Sequence, residues 1–446
     1  MLDSAAQESL AQRVLAFSPA AQTEVTVSGE DFGLTRFARN AIVQNVGRRQ
    51  TTVRVRAVVD GRVGIAATNE LADAALRAAV ERACALARLA PRDEDFPGLA
   101  AAPRVPQPPG AAFAATAAAS PELRARLAAA AFAVAERDGL WCAGYAMTAH
   151  RALTVANSCG TLTTFESTDA ALNVKQNAAD STGYAECYSN DVGDVDAARV
   201  AGIAAEKALA ARAPVAVEPG SWTVILEPAA FGELLSYLSD HFSAQAYDEG
   251  SSFLSAGLGE RYAGAGVTIL DDHAHPLAVG MPFDFEGTPT ARVALLDGGI
   301  GAGIVTDRYW ARKLGRANTG HAVAVSDTAS DGPQPRNLVV MPGSKSTAQL
   351  IAETERGLLV SRLWYVRNVD QRQTIVTGMT RDGTFLIEDG KLTRGVANMR
   401  FNQSILAALS RAELGAELSR TARYTYGMVT PAAKIEDFRF TSGTEF

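Results

Sequence analysis

The stretch TTVRVRAVVDGRVGIAAT, residues 51–68, decides how the first half of this chain is read. Val53, Val55, Ala57 and Val59 alternate with Arg54 and Arg56, the period-two pattern of a strand with one face in a core. Asp60–Gly61 interrupts the pattern. Glycine accepts the positive φ of a tight turn, so RVGIAAT is expected to return alongside as a second strand.

Working outward, TEVTVSG (23–29) and TRFARNAIVQNVG (35–47) read as further strands, preceded by a helix over the first 17 residues with Leu10, Val14 and Phe17 as its apolar stripe. ELADAALRAAVERACALARL (70–89) is an Ala-rich helix with Asn69 as the expected N-cap. The Pro-rich run 91–110 cannot be regular throughout and reads as an ordered excursion over the surface. Pro121 opens a helix to about Asp138. Strands follow over 141–156, 161–176 and 182–189, then a helix over 194–212. Pro214 and Glu218-Pro219-Gly220 mark the expected domain boundary.

Beyond it the pattern changes. One helix (about 228–242) precedes short extended segments: GVTILDD, ARVALLDGG, GIVTDRYWARKLG, RNLVVMPG, QTIVTGMT, GTFLIEDGKL and DFRFTSG. Only 346–356 and 402–412 read as helical. The expected fold is α+β: an N-terminal α/β domain (1–215) with an antiparallel sheet and flanking helices, then a β-rich, barrel-like domain (216–446).

The bulk composition narrows the function. A length of 446 residues suits two domains, and 47% hydrophobic with 20% charged residues is ordinary for a soluble globular protein. A net charge of −7 without a basic run argues against nucleic acid as a partner. No apolar run approaches the roughly 20 residues of a membrane span. The opening MLDSAAQESLAQRVLAF lacks a signal pattern, so a cytoplasmic location is expected. The four cysteines, Cys84, Cys142, Cys159 and Cys187, have no CxxC spacing and read as reduced thiols.

Candidate chemistry is sparse. His241, in DHFSAQAYDEG (240–250), lies beside the stripe Phe231, Leu234, Leu235, Leu238 and Phe242 and reads first as a packed or capping histidine. In ILDDHAHP (269–276), an extended backbone would turn Asp271, His273 and His275 to one face, the best metal candidate by spacing. His150 and His321 read as structural or surface residues. GGIGAG (298–303) is followed by a β-like segment, so it reads as a turn between paired strands rather than a dinucleotide loop. MPGSKST (341–347) lacks P-loop order and reads as a turn entering a capped helix. No GxSxG elbow occurs, and no cysteine has a neighbouring histidine. No catalytic residue and no cofactor site is assigned.

The chain resembles the TldD/PmbA family (peptidase U62, modulators of DNA gyrase) over nearly its whole length. The resemblance is carried by TRFARNAIVQNVG, VANSCGTLTTFEST, EGSSFL, GMPFDFEGTPTAR, DRYWARKLGRANTGHA, VVMPGSKS and FLIEDGKLTRGVANMRFNQSIL. It implies a metallopeptidase family whose TldD-type subunit holds zinc through an HExxxH helix and a C-terminal cysteine. Laid on that motif, His241 stands for the first histidine, Phe242 replaces the glutamate and Ala246 the second histidine. The last cysteine is Cys187. The implied role is a TldE/PmbA-like, non-catalytic subunit. It would form a heterodimer with a TldD-like catalytic partner carrying the zinc, and act on extended or modified peptides; a homodimer is a second arrangement. Two rival readings stand beside it: an autonomous metallohydrolase using Asp271, His273 and His275, and a regulatory binding protein for a large partner such as gyrase.

Overall fold

The computed structural model describes residues 1–324, 332–423 and 426–444. Helix α1 (Ser4–Ala16) leads into β1 (Gln22–Ala38), β2 (Ala41–Val59), β3 (Arg62–Thr68) and α2 (Asp73–Leu89). A short α3 (Ala114–Ala117) precedes α4 (Pro121–Arg137), β4 (Trp141–Asn157), β5 (Leu162–Asn177), β6 (Thr182–Ser189) and α5 (Ala197–Ala210). The strands form one antiparallel sheet in the order β3-β2-β1-β4-β5-β6. The Asp60–Gly61 turn is made as expected, with φ of 51° and 73°.

The run 35–47 is not one strand. Arg39 and Asn40 adopt φ of 51° and 58° and fold it into a hairpin between β1 and β2. Helix α2 begins at Asp73 with Ala72 at its N-cap, so Asn69 caps nothing. Residues 91–110 form no regular element but are tied to β5 and the residue before it: the Ala102 and Val105 amides donate to the Thr161 and Thr163 hydroxyls.

Strand alternation gives the sheet two different faces. Val25, Val27, Val53, Val55, Ala146, Leu172, Val174 and Ala185 are buried under the helices. The other face carries Glu24, Arg56, Tyr145, Asp169 and Glu186 and turns toward the second half. There Leu153, Val155 and Phe165 pack on Phe283, and Arg56 bonds Glu24 at 2.8 Å and Glu286 at 3.4 Å.

The second half begins with β7 (Gly220–Leu226) and α6 (Pro228–Leu235), which runs into a 3-10 turn over Ser236–Phe242 and then α7 (Ala244–Asp248). The expected single helix over 228–242 is therefore broken. Next come β8 (Ile269–Asp271), β9 (Val293–Asp297), β10 (Ile300–Gly301), α8 (Arg308–Leu314), β11 (Leu338–Val340) and α9 (Thr347–Ala352). The chain continues through β12 (Arg356–Asp370), β13 (Ile375–Glu388), β14 (Lys391–Gly395), β15 (Met399–Ser404) and α10 (Ile405–Leu409). It ends in β16 (Ala412–Leu414), β17 (Ser419–Arg423), β18 (Tyr426–Thr430) and β19 (Ala433–Gly443).

Two expectations are corrected here. DRYWARKLG is helical, because the Asp307 side chain accepts from the Trp310 amide and Gly315 ends the turn in the left-handed region. The helices near 346–356 and 402–412 are shorter than expected. The β-rich half is built as expected, from two sheets: β10-β9-β8-β11-β18-β17, and β12-β7-β19-β15-β13-β14, the second curling back on itself because β12 also pairs with β13. The GGIGAG glycines do turn between β9 and β10, and Ser346 caps α9 in a capping box. A large core including Phe231, Leu234, Phe242, Leu254, Phe401 and Phe438 fills the second half. No helix among the described residues is long and apolar enough to cross a membrane.

Candidate functional site

A cleft of about 1220 Å³ lies between the exposed sheet face of the first half and the second half. Its floor is built by register. Tyr145 on β4 faces Asn173 on β5, which faces Glu186 on β6; Tyr184 and Tyr188 flank Glu186 on the same face. The wall opposite comes from α6, the 3-10 turn and the strands β12 and β17. Gly232 on α6 lets β17 approach closely, since a Cβ there would meet the Thr421 hydroxyl at 2.6 Å.

The floor is a hydrogen-bonded phenol–carboxyl network. The Tyr184 hydroxyl donates to Glu186, the Asn173 amide donates to the Tyr184 oxygen at 2.5 Å, and the hydroxyls of Tyr145 and Tyr188 lie 3.0 Å apart. Burial pushes the Glu186 carboxyl up to about 7, against the opposing pull of the Tyr184 bond and the Arg362 charge. Glu186 is half-buried and lines the cleft. Burial also raises Tyr184 and Tyr188 well above the usual phenol range. Burial alone would depress Arg362, but the surrounding Tyr184, Asp382 and Glu186 hold it protonated. Its guanidinium bonds Asp382 at 3.0 Å and lies 4.5 Å from the Tyr184 ring centroid.

The facing wall behaves differently. Ser236, Ser239 and Asp240 border the cleft. The next residue, His241, turns inward and is 2% exposed. Its Nδ1 accepts the Phe253 amide at 3.3 Å, and its ring lies 5.2 Å from that of Phe253. Burial depresses its pKa to about 4, so the ring is neutral. Phe242 is fully buried.

The second histidine cluster does not form the expected face. β8 ends at Asp271, and the chain turns over 272–275. The Asp271 carboxylate is held by the Arg336 and Asn337 amides at 2.6 and 2.9 Å, with His321 Nε2 3.2 Å from its other oxygen. That last approach is within ion-pair reach but not aligned as a hydrogen bond. Burial would raise Asp271, yet His321 and the two amides together keep it below the usual carboxylate range. The His275 Nδ1 accepts the Leu277 amide at 3.3 Å, while burial lowers both His273 and His275. Among the described residues no three His, Cys, Asp or Glu side chains converge as a metal site. His150 approaches Glu166 at 3.3 Å on the first sheet, away from the cleft.

Comparison with known proteins identifies the architecture. The family described as "PmbA/TldA metallopeptidase C-terminal domain" matches residues 219–442, and its domain 1 matches residues 26–87. The chain belongs to the TldD/PmbA family. A metalloprotease of Methanothermobacter thermautotrophicus is 26% identical over 204 residues, 44% of this chain and 42% of the relative. The metalloprotease TldD homolog of Haemophilus influenzae is 26% identical over 233 residues, 51% of this chain and 47% of the relative. The chain thus covers somewhat under half the length of these curated relatives. TldE from Thermococcus kodakarensis has the same fold, with a TM-score of 0.88 over 98% of this chain and 99% of that chain at 23% identity.

For a TldD/PmbA protein the pertinent question is whether the donors at 241–246 fit zinc. They do not. A tetrahedral site needs several nitrogen, sulfur or oxygen donors around one point, with a carboxylate nearby to take the proton from bound water. His241 has one ring nitrogen committed to a backbone amide and sits in hydrocarbon. Phe242 and Ala246 offer no donor. Cys187 lies on β6, on the first sheet.

Sequence reading did not single out Glu186, its tyrosines, or the pairing of His321 with Asp271. The signal for the first was present: Tyr184, Glu186 and Tyr188 alternate with Ala185 and Cys187, putting three polar groups on one face of a strand. Nothing local pairs residues 271 and 321, which lie in separate segments.

Proposed function

We propose that this chain is a TldE/PmbA-like subunit of a heteromeric zinc metallopeptidase, holding an extended peptide in its cleft while a TldD-like partner supplies zinc. The reading rests mainly on one observation. The segment that resembles the zinc helix turns His241 and Phe242 into the core and leaves Ser239 and Asp240 on the cleft. The cleft's own geometry favours an extended ligand. β6 and β17 each end their sheet and both border the cavity, so backbone pairing can bind a peptide with little sequence choice. What this chain's residues do is bind and orient; the water-activating step belongs to the partner.

Co-expression with a TldD-type chain tests this. The expected result is a stable complex that cleaves unstructured peptides and is silenced by a chelator, with zinc content unchanged by His241→Ala. Peptidase activity of the isolated chain, lost together with zinc on His241→Ala, would overturn it.

A further inference from the structure

Glu186 differs from the other carboxylate on the first-half face of the cleft. Asp169 is paired with Arg420 at 2.7 Å and with Arg151. Among the described residues Glu186 has no ion pair, and its hydrogen bond comes from the neutral Tyr184 phenol. Arg362 bonds Asp382 at 3.0 Å rather than Glu186, sharing that carboxylate with Lys175 at 3.2 Å, and Lys207 bonds Glu227 at 2.5 Å. Beside it on the same sheet face stand the phenols of Tyr145, Tyr184 and Tyr188, which line the same cleft. A carboxyl beside open volume, with no direct ion pair and with phenol oxygens around it, suits an organic cation that donates hydrogen bonds. A guanidinium prefers both carboxylate oxygens, and one is already taken by Tyr184. An ammonium group needs only one, with phenol oxygens as further acceptors.

We propose that Glu186, with Tyr145, Tyr184 and Tyr188, forms a subsite for a primary ammonium group of the bound peptide, either a lysine side chain or a free amino terminus. This rests on the peptide-holding reading and names its preferred ligand.

The test is fluorescence anisotropy with the full chain and labelled extended peptides at pH 8. One set compares lysine with norleucine in an N-acetylated peptide; a second compares a free with an acetylated amino terminus in a lysine-free peptide. The subsite predicts about tenfold tighter binding of one ammonium-bearing peptide over its neutral match, and which set shows it identifies the source. Glu186→Gln, nearly isosteric, is expected to remove that preference. Equal binding within both sets by the unaltered chain overturns the subsite, and needs no variant. A preference that survives Glu186→Gln in a variant of unchanged melting temperature also overturns it. Failure of every peptide to bind overturns the peptide-holding reading as well.

Discussion

On the cleft floor, strand alternation delivers Tyr145, Asn173, Tyr184, Glu186 and Tyr188 to the open side; on the facing wall, the turn Ser236–Phe242 sends His241 inward. Burial acts on both in the same sense, favouring the neutral form: Glu186 is pushed up to about 7 and His241 down to about 4. The difference is access. Glu186 borders a volume that can hold a ligand, whereas His241 borders Phe253 and hydrocarbon. A perturbed titration marks a binding group only where a ligand can reach it.

The contrast can be broken by substitution. The largest effect is expected at the wall: Phe242→Ala, in the core and edge-on to Phe253 at 5.9 Å, should cost about 3–5 kcal/mol in urea unfolding. A loss below about 1 kcal/mol would mean that Phe242 is not a core residue. Next is the joint between the halves. Arg56→Met strands Glu24 and Glu286 inside the protein and should cost about 3 kcal/mol or more. The exposed Arg49–Asp31 pair, by contrast, should cost under about 1 kcal/mol when Arg49→Met breaks it.

His241 gives a pH-dependent test. Its folded pKa of about 4 lies below the unfolded 6.5, so the unfolded chain takes up the proton first as pH falls. Its contribution is intact above about pH 6.5 and is lost progressively down to about pH 4. At about 1.4 kcal/mol per pH unit the loss is about 3 kcal/mol. His241→Gln, which keeps an acceptor for the Phe253 amide, should flatten this part of the stability profile. An identical slope in the variant would place the ring in water.

Much of this architecture is legible in the chain, and the reasons are local. The first-half strands announce themselves by alternation, and Asp60–Gly61 by its turn chemistry. The Arg39–Asn40 hairpin escapes notice because neither residue is glycine, although both take positive φ. Helix α8 hides in a β-like segment because one cap, Asp307, decides it. At 241–246 the missing donors are readable from residue types alone, but the inward turn of His241 is not, because it depends on where the helix breaks. Glu186 acquires its character only when the second half walls off its water.

The most direct measurement is zinc stoichiometry in the isolated chain after incubation with excess zinc and gel filtration. A chain without its own zinc site should hold well under one tightly bound ion, with no change on His241→Ala. One zinc per chain, lost on His241→Ala and accompanied by peptide hydrolysis, would contradict it.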